Sequence, residues 1–169
     1  MGPVTLADAE RLPTAVVQLL IRRGLTVATA ESLTAGLLAA TLAEVPGASG
    51  TLQGGVVAYQ NHVKERLLGV DPGLLARAGA VDAEVARQMA EGARRVAGAD
   101  IGIATTGVAG PEAHQGKPVG TVYLGLAGIP DHAEPEAVLL HLDGDREAIR
   151  RGTVRRALQM VQARLSRSA

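Results

Sequence analysis

Ser32 and Lys64 are the two side chains whose type and setting could carry chemistry in this chain. Ser32 lies in Ala30-Glu31-Ser32-Leu33-Thr34-Ala35-Gly36, where a strand-like run from Leu25 to Ala30 gives way to an apolar helical pattern. A helix N-terminus leaves backbone N–H groups without intrahelical partners. Such groups bind anions or stabilise the oxyanion formed when a hydroxyl adds to a carbonyl. A second strand-to-helix junction, Gly54-Gly55-Val56-Val57-Ala58-Tyr59 running into Gln60-Asn61-His62-Val63-Lys64, supplies a base. Lysine accepts a proton when burial or a neighbouring cation lowers its pKa. Serine plus lysine is therefore an acyl-transfer pair. Each residue also has a plain structural use, serine as a helix cap and lysine as a solvated helix residue.

Other chemistries fit less well. The chain has no cysteine, which removes disulfides, thiolate metal sites and a cysteine nucleophile together. His62, His114, His132 and His141 show no paired metal-ligand spacing, so no metal and no cofactor are expected. Ser32 lacks the flanking glycines of a nucleophile elbow and has Ala35, not lysine, three positions on. Gly110 to Lys117 misses the P-loop pattern by one residue, and Pro118 stands where Ser or Thr is needed. Thr105-Thr106-Gly107-Val108-Ala109-Gly110-Pro111 follows a third strand and reads either as a structural turn or as a loop approaching a ligand closely. Arg146 opens the final helix, where its planar fork suits a phosphate or carboxylate if it is not simply a surface arginine.

The 169 residues are 47% apolar, enough for one domain with a sizeable core. Seventeen basic and seventeen acidic side chains cancel, so no global field draws the chain to nucleic acid or lipid headgroups. Phe and Trp are absent and only Tyr59 and Tyr123 are aromatic, which argues against base-stacking platforms. Arg150, Arg151, Arg155 and Arg156 on the last helix then read as a solvated or dimer-contacting face. No stretch approaches the roughly 20 apolar residues of a membrane span, and no basic segment leads into an apolar run at the start. A soluble cytoplasmic protein binding a small molecule is expected, without a nucleic-acid or membrane partner.

Helical periodicity predicts helices over about 8–23, from Ser32 to Pro46, 61–67, 82–97 and from about 145 onward. Leu12, Val16, Leu19 and Leu20 share one face of the first, and Val85, Met89 and Val96 should face inward on the fourth. Strands are expected at 26–30, 55–59, 101–105, 121–127 and 137–142, with a turn at Asp71-Pro72-Gly73. The nine-residue link from Gly128 to Glu136 suggests a hairpin, hence a mixed sheet. The pattern predicts a single α/β domain over 1–169, a three-layer α/β/α sandwich on a mixed, mostly parallel sheet of five to six strands. Ligands in such folds bind near the carboxyl ends of parallel strands, which both Ser32 and Lys64 follow.

Taken together, segments 30–36 and 55–64, Thr105 to Pro111, Lys117-Pro118-Val119-Gly120-Thr121-Val122 and Gly144-Asp145-Arg146 closely resemble the CinA C-terminal domain family. The resemblance covers nearly the whole chain from Leu25. It implies hydrolysis of the carboxamide of nicotinamide mononucleotide to nicotinic acid mononucleotide and ammonia, in pyridine-nucleotide recycling, by a metal-free Ser/Lys mechanism and in a homodimer. Carried onto this chain, Ser32 is the nucleophile, Lys64 the base, and Tyr59 either orients Lys64 or packs on the pyridine ring. The amides of Thr34, Ala35 and Gly36 would hold the oxyanion. Glu31, Asn61, Thr105, Thr106, Gly107 and Gly110 would line the nucleotide site, and Arg146 would take the phosphate. The chain departs from the family pattern in having Ala35 where glycine is usual and Ala113-His114 in place of a Gly-Gly pair. That altered segment keeps open an alternative: a catalytically silent member of the same fold that binds a nucleotide or a protein partner.

Overall fold

The computed structural model describes residues 6–130 and 132–167. In order they form α1 (Leu6–Arg23), β1 (Val27–Glu31), α2 (Leu37–Ala43), a 3-10 turn (Ala48–Gly50), β2 (Leu52–Val57), α3 (Asn61–Leu68), α4 (Pro72–Ala78), α5 (Ala83–Ala97), β3 (Ile101–Gly107), β4 (Thr121–Ala127), β5 (Glu136–His141) and α6 (Arg146–Arg167). The sheet runs β2-β1-β3-β4-β5. β1 pairs in parallel with β2 and β3, and β4 pairs antiparallel with β3 and β5. Only β4 therefore runs against the others, and the β4–β5 connection is a hairpin, as the short link implies.

Alternation along the central strands explains the layers. In Ile101-Gly102-Ile103-Ala104 and Val122-Tyr123-Leu124-Gly125-Leu126 the large aliphatics fall on one face, and the other carries Gly102, Ala104 and Gly125 together with Tyr123. The large face, with Val27, Ile103, Leu124 and Leu126, buries Leu20 of α1, Leu38 of α2 and Leu158 of α6. The small face, with Ala28, Ala30 and Ala104, receives α3, α4 and α5 through Leu68, Leu75, Val85 and Met89. Each Leu or Ile buried in this way contributes about 1.5–3 kcal/mol relative to exposure. Helix α5 lies directly on the sheet because Gly102 and Gly125 have no side chain. A Cβ on either would overlap the carbonyl oxygen of Ala90 or Ala86.

Four expectations change. The helix after Ser32 starts only at Leu37, because residues 33–36 form turns and Gly36 (φ 96°) is its N-cap. β2 lies at 52–57 rather than 55–59, since its parallel register with β1 pairs Val27 with Leu52 and Glu31 with Val57. The turn at Asp71-Pro72-Gly73 opens helix α4: Asp71 accepts hydrogen bonds from the Gly73 and Leu74 N–H groups, and Pro72 sits in the first turn. Val96 faces outward at 48% exposure, because Val85, Met89 and Ala93 already fill the sheet-facing side of α5.

Close approach of α5 makes a sharp prediction. Gly125→Ala should lower stability by at least about 1–3 kcal/mol, read from the urea midpoint, because helix and sheet must separate. Gly54→Ala, where an added Cβ meets nothing within 4 Å, should change it by less than about 0.5 kcal/mol. Equal effects at the two positions would contradict this packing.

Candidate active site

β1 and β2 end side by side, and their ends bring the two reactive groups together. The Ala58 N–H donates to the Glu31 carbonyl (2.8 Å) and the Ser32 N–H to the Thr105 carbonyl (2.9 Å), so the ends of β1, β2 and β3 are tied. Ser32 starts a tight turn in which the Ala35 N–H donates to the Ser32 carbonyl (3.1 Å). Ala35 adopts φ 50°, in the left-handed region. A Cβ there costs about 1–2 kcal/mol, which is the physical reason glycine is at home in that position.

Glu31 braces this turn from below. It is 1% exposed, and its carboxylate accepts from the N–H groups of Gly36 (3.0 Å), Leu38 (2.9 Å) and Ala39 (2.8 Å) and from the Thr29 hydroxyl (3.1 Å). The anion thus occupies the N-terminus of α2, where the helix dipole favours it. It also consumes amides that the sequence assigned to an oxyanion: Gly36 N–H serves Glu31, and Ala35 N–H serves Ser32. Thr34 is fully buried. Among the described residues the Leu33 N–H has no acceptor, and Leu33 stands with Ser32 in the cleft wall. Of the expected donors at 34–36, Ala35 and Gly36 are thus occupied, while the Thr34 N–H, like that of Leu33, has no acceptor among the described residues.

Lys64, one turn into α3, is 1% exposed. Its Nζ contacts three oxygens: the Ala58 carbonyl (2.7 Å), the Tyr59 carbonyl (3.3 Å) and Ser32 Oγ (3.2 Å). Among the described residues no carboxylate forms an ion pair with it. Burial pushes the amine down from 10.5 to about 8. A neutral amine has two N–H groups and one lone pair. The two carbonyls match the two hydrogens and leave the lone pair toward the Ser32 hydroxyl. In the charged form the third hydrogen instead donates to Ser32 Oγ.

The phenol of Tyr59 does not reach Lys64. It accepts a hydrogen bond from Arg146 Nη2 (3.0 Å), while Arg146 Nη1 donates to the Gly110 carbonyl (2.8 Å). Orientation of Lys64 thus comes from the backbone of Tyr59 and not from its ring, which is 51% exposed at the cleft. The cleft holds about 700 Å³ and brings together Ser32, Tyr59, Asn61, Lys64, Thr106, Gly107, Gly110 and Arg146. Glu31, Thr34, Ala35, Gly36 and Thr105 stand behind it. Thr34 and Thr105 share a hydroxyl hydrogen bond of 2.7 Å and tie the serine turn to β3.

Sequence reading missed Ala80 and Val81 in the cleft wall, which also holds residues 112–115 beside a two-residue hairpin bridged between His114 and Lys117, the segment whose Ala113-His114 departs from the family pattern. The Ala80 carbonyl accepts from the Thr106 hydroxyl (2.6 Å), and its N–H donates to Gln115 Oε1 (3.3 Å). The Gln115-Gly116 pair was the available turn signal. Among the described residues no group of three His, Cys, Asp or Glu side chains could hold a metal ion. No described helix is long and apolar enough to cross a membrane.

Comparison with known proteins gives concordant matches. A family model described as the CinA C-terminal domain matches residues 9–165. A putative competence-damage inducible protein of Desulforamulus reducens is 50% identical over 155 residues, 92% of this chain and 37% of that protein. A CinA-like protein of Geobacter sulfurreducens is 47% identical over 167 residues, 98% of this chain and 40% of that protein. The chain thus spans well under half the length of these relatives. Among solved structures, the competence/damage inducible protein CihA of Agrobacterium tumefaciens superposes with TM-score 0.87 at 37% identity, covering 97% of this chain and 99% of that one. A CinA superfamily protein of Klebsiella pneumoniae gives 0.88 at 34%, covering 94% and 98%.

The buried amine predicts a linkage between pH and stability. Its folded-state pKa is depressed, so between pH 8 and 10.5 the unfolded chain binds the extra proton and stability rises with pH. Below that window both states are charged and the fold carries the full desolvation cost. Lys64→Met should therefore be more stable than the parent at pH 7 by on the order of 1–2 kcal/mol, with the unpaired Ala58 carbonyl offsetting part of the gain. The advantage should shrink by pH 10 in urea melts. A variant less stable than the parent at pH 7, with no pH trend, would contradict a buried lysine held against its charge.

Proposed function

The chain belongs to the CinA C-terminal domain family, and on that footing we propose that it hydrolyses the carboxamide of nicotinamide mononucleotide, giving nicotinic acid mononucleotide and ammonia. The observation that carries this reading is the 3.2 Å contact between Ser32 Oγ and a buried lysine amine whose other neighbours are two carbonyls. In the reaction, neutral Lys64 takes the Ser32 proton as Oγ bonds to the carboxamide carbon. The Leu33 N–H lies next to the oxygen that becomes negative. Lys64 returns the proton to nitrogen, the C–N bond breaks and ammonia leaves a nicotinoyl ester on Ser32. Water, deprotonated by Lys64, then cleaves the ester and restores the hydroxyl.

The rest of the cleft suits a mononucleotide. Its volume of about 700 Å³ lies within the range of small-molecule sites. Arg146 stands at the rim with its guanidinium held by Tyr59 and Gly110, a cation suited to the phosphate. Asn61, Thr106 and Gly107 line the same cleft as candidate contacts to the nucleoside. Residues 112–115 of the altered segment form part of the cleft wall.

Incubating the protein with nicotinamide mononucleotide and measuring ammonia tests the proposal. The parent should turn over, and Ser32→Ala should lose at least about a thousandfold in kcat while keeping its thermal midpoint. Because the neutral amine is the active form, kcat/KM should rise tenfold per pH unit below a midpoint near 8 and level off above it. Undiminished turnover by Ser32→Ala, or a profile flat from pH 6 to 9, would reject the dyad. Nucleotide binding without product would establish the silent alternative.

A further inference from the structure

Arg150 lies on α6, far in sequence from Ser32, yet its guanidinium reaches the serine turn. Nε donates to the Leu33 carbonyl (3.0 Å) and Nη2 to the Thr34 carbonyl (2.9 Å). These are the two central residues of the turn that the Ala35 N–H closes onto the Ser32 carbonyl. The side chain is half-buried. It is also the one arginine of the four at 150, 151, 155 and 156 with such contacts among the described residues, since Arg151 pairs with Glu147 on the surface. We infer that Arg150 is a positioning residue for the reaction: its rigid fork fixes both central carbonyls of the serine turn and so holds Ser32 Oγ and the Leu33 N–H in their working orientation.

The physical need is specific. Residues 33–36 form turns ahead of α2, with only the Thr34 and Gly36 carbonyls reached by its N–H groups, and Ala35 is held in a left-handed conformation against its preference. Glu31 secures the amides from Gly36 onward, on the helix side of the turn. On that side the Leu37 N–H reaches the Thr34 carbonyl (3.1 Å), but among the described residues no backbone donor reaches the Leu33 carbonyl. A bidentate guanidinium reaches both, and two donors in one plane fix rotation as well as distance, which a single ammonium cannot. Arg150 does not line the main cleft, so it acts through Ser32 and Leu33 and not on the substrate. A small misplacement of a nucleophile lowers the rate without weakening binding.

This rests on Ser32 acting as nucleophile, so the test needs a readout independent of the natural substrate. Two are run together: ammonia release from nicotinamide mononucleotide, and p-nitrophenolate release from p-nitrophenyl acetate, with Ser32→Ala as the blank. In the second, Ser32 Oγ bonds to the acetyl carbon, the aryl ester bond breaks and Lys64 takes the serine proton. For Arg150→Met, kcat and the acetylation rate per folded molecule should both fall at least tenfold, with KM changed less than threefold and the pH midpoint unmoved. Arg150→Lys, which keeps charge and length but not the fork, should fall in between and covers the case in which Arg150→Met does not fold. Added methylguanidine should restore part of the rate to Arg150→Ala.

Acetylation of Arg150→Met within twofold of the parent would overturn the inference, as would a loss expressed wholly in KM. If the parent acetylates Ser32 but releases no ammonia, the substrate assignment fails while a slow Arg150→Met ester reaction still supports the clamp. If the parent does neither, both fall.

Discussion

A lysine amine taken out of water, with no carboxylate to keep it charged, is the constraint around which the site is organised. Its burial lowers the pKa toward neutrality, and the Ala58 and Tyr59 carbonyls decide which way its lone pair faces. Those carbonyls are available because β2 has just ended: beyond Val57 the backbone leaves the sheet ladder, apart from the Ala58 N–H still tied to Glu31. The same strand end that stops pairing thus supplies the acceptors that orient the base. Desolvation of that amine costs stability, a cost the fold carries at the cleft.

The partition of the sheet into a large and a small face has consequences for the site. Glycines and alanines on one face let α5 sit close to β3 and β4, and α3 packs against α5, where Gly92 has no side chain to hold off the Leu68 backbone. Lys64 rides on α3, so its depth beneath the cleft is set by packing remote from the chemistry. On the other face, α6 crosses the large aliphatics and carries Ile149, Val154 and Leu158 into that core. Arg150, next to Ile149, is thereby placed under the serine turn, while Arg146 one turn earlier reaches the rim. One helix connects the core to two parts of the cleft.

Much of this was legible in the chain itself. Helical and alternating periodicity gave the order of elements, and the link from Gly128 to Glu136 was too short for a crossover, which made the sheet mixed. The β1–Ser32 and β2–Lys64 junctions could be read from composition, because ligand sites in α/β folds gather at the carboxyl ends of parallel strands. Helix α4 was missed because Asp-Pro-Gly serves equally as a turn and as a capped helix start, and only the following Leu74 and Leu75 finding a core decides between them.

What the sequence determined alone is local: which residues can be helix or strand, and which side chains have the chemistry to attack or accept a proton. Tertiary structure decided everything that depends on occupancy. The Gly36 N–H, which the chain offers to an oxyanion, is held by Glu31, and the phenol of Tyr59, which the chain offers to Lys64 or to a pyridine ring, accepts from Arg146. Arg150 reads from the chain as part of a solvated or dimer-contacting face, yet it spans 117 residues to the Leu33 carbonyl. A hydrogen-bonding group serves a given partner only in a particular geometry, and no periodicity in a chain records which distant partner reaches it first.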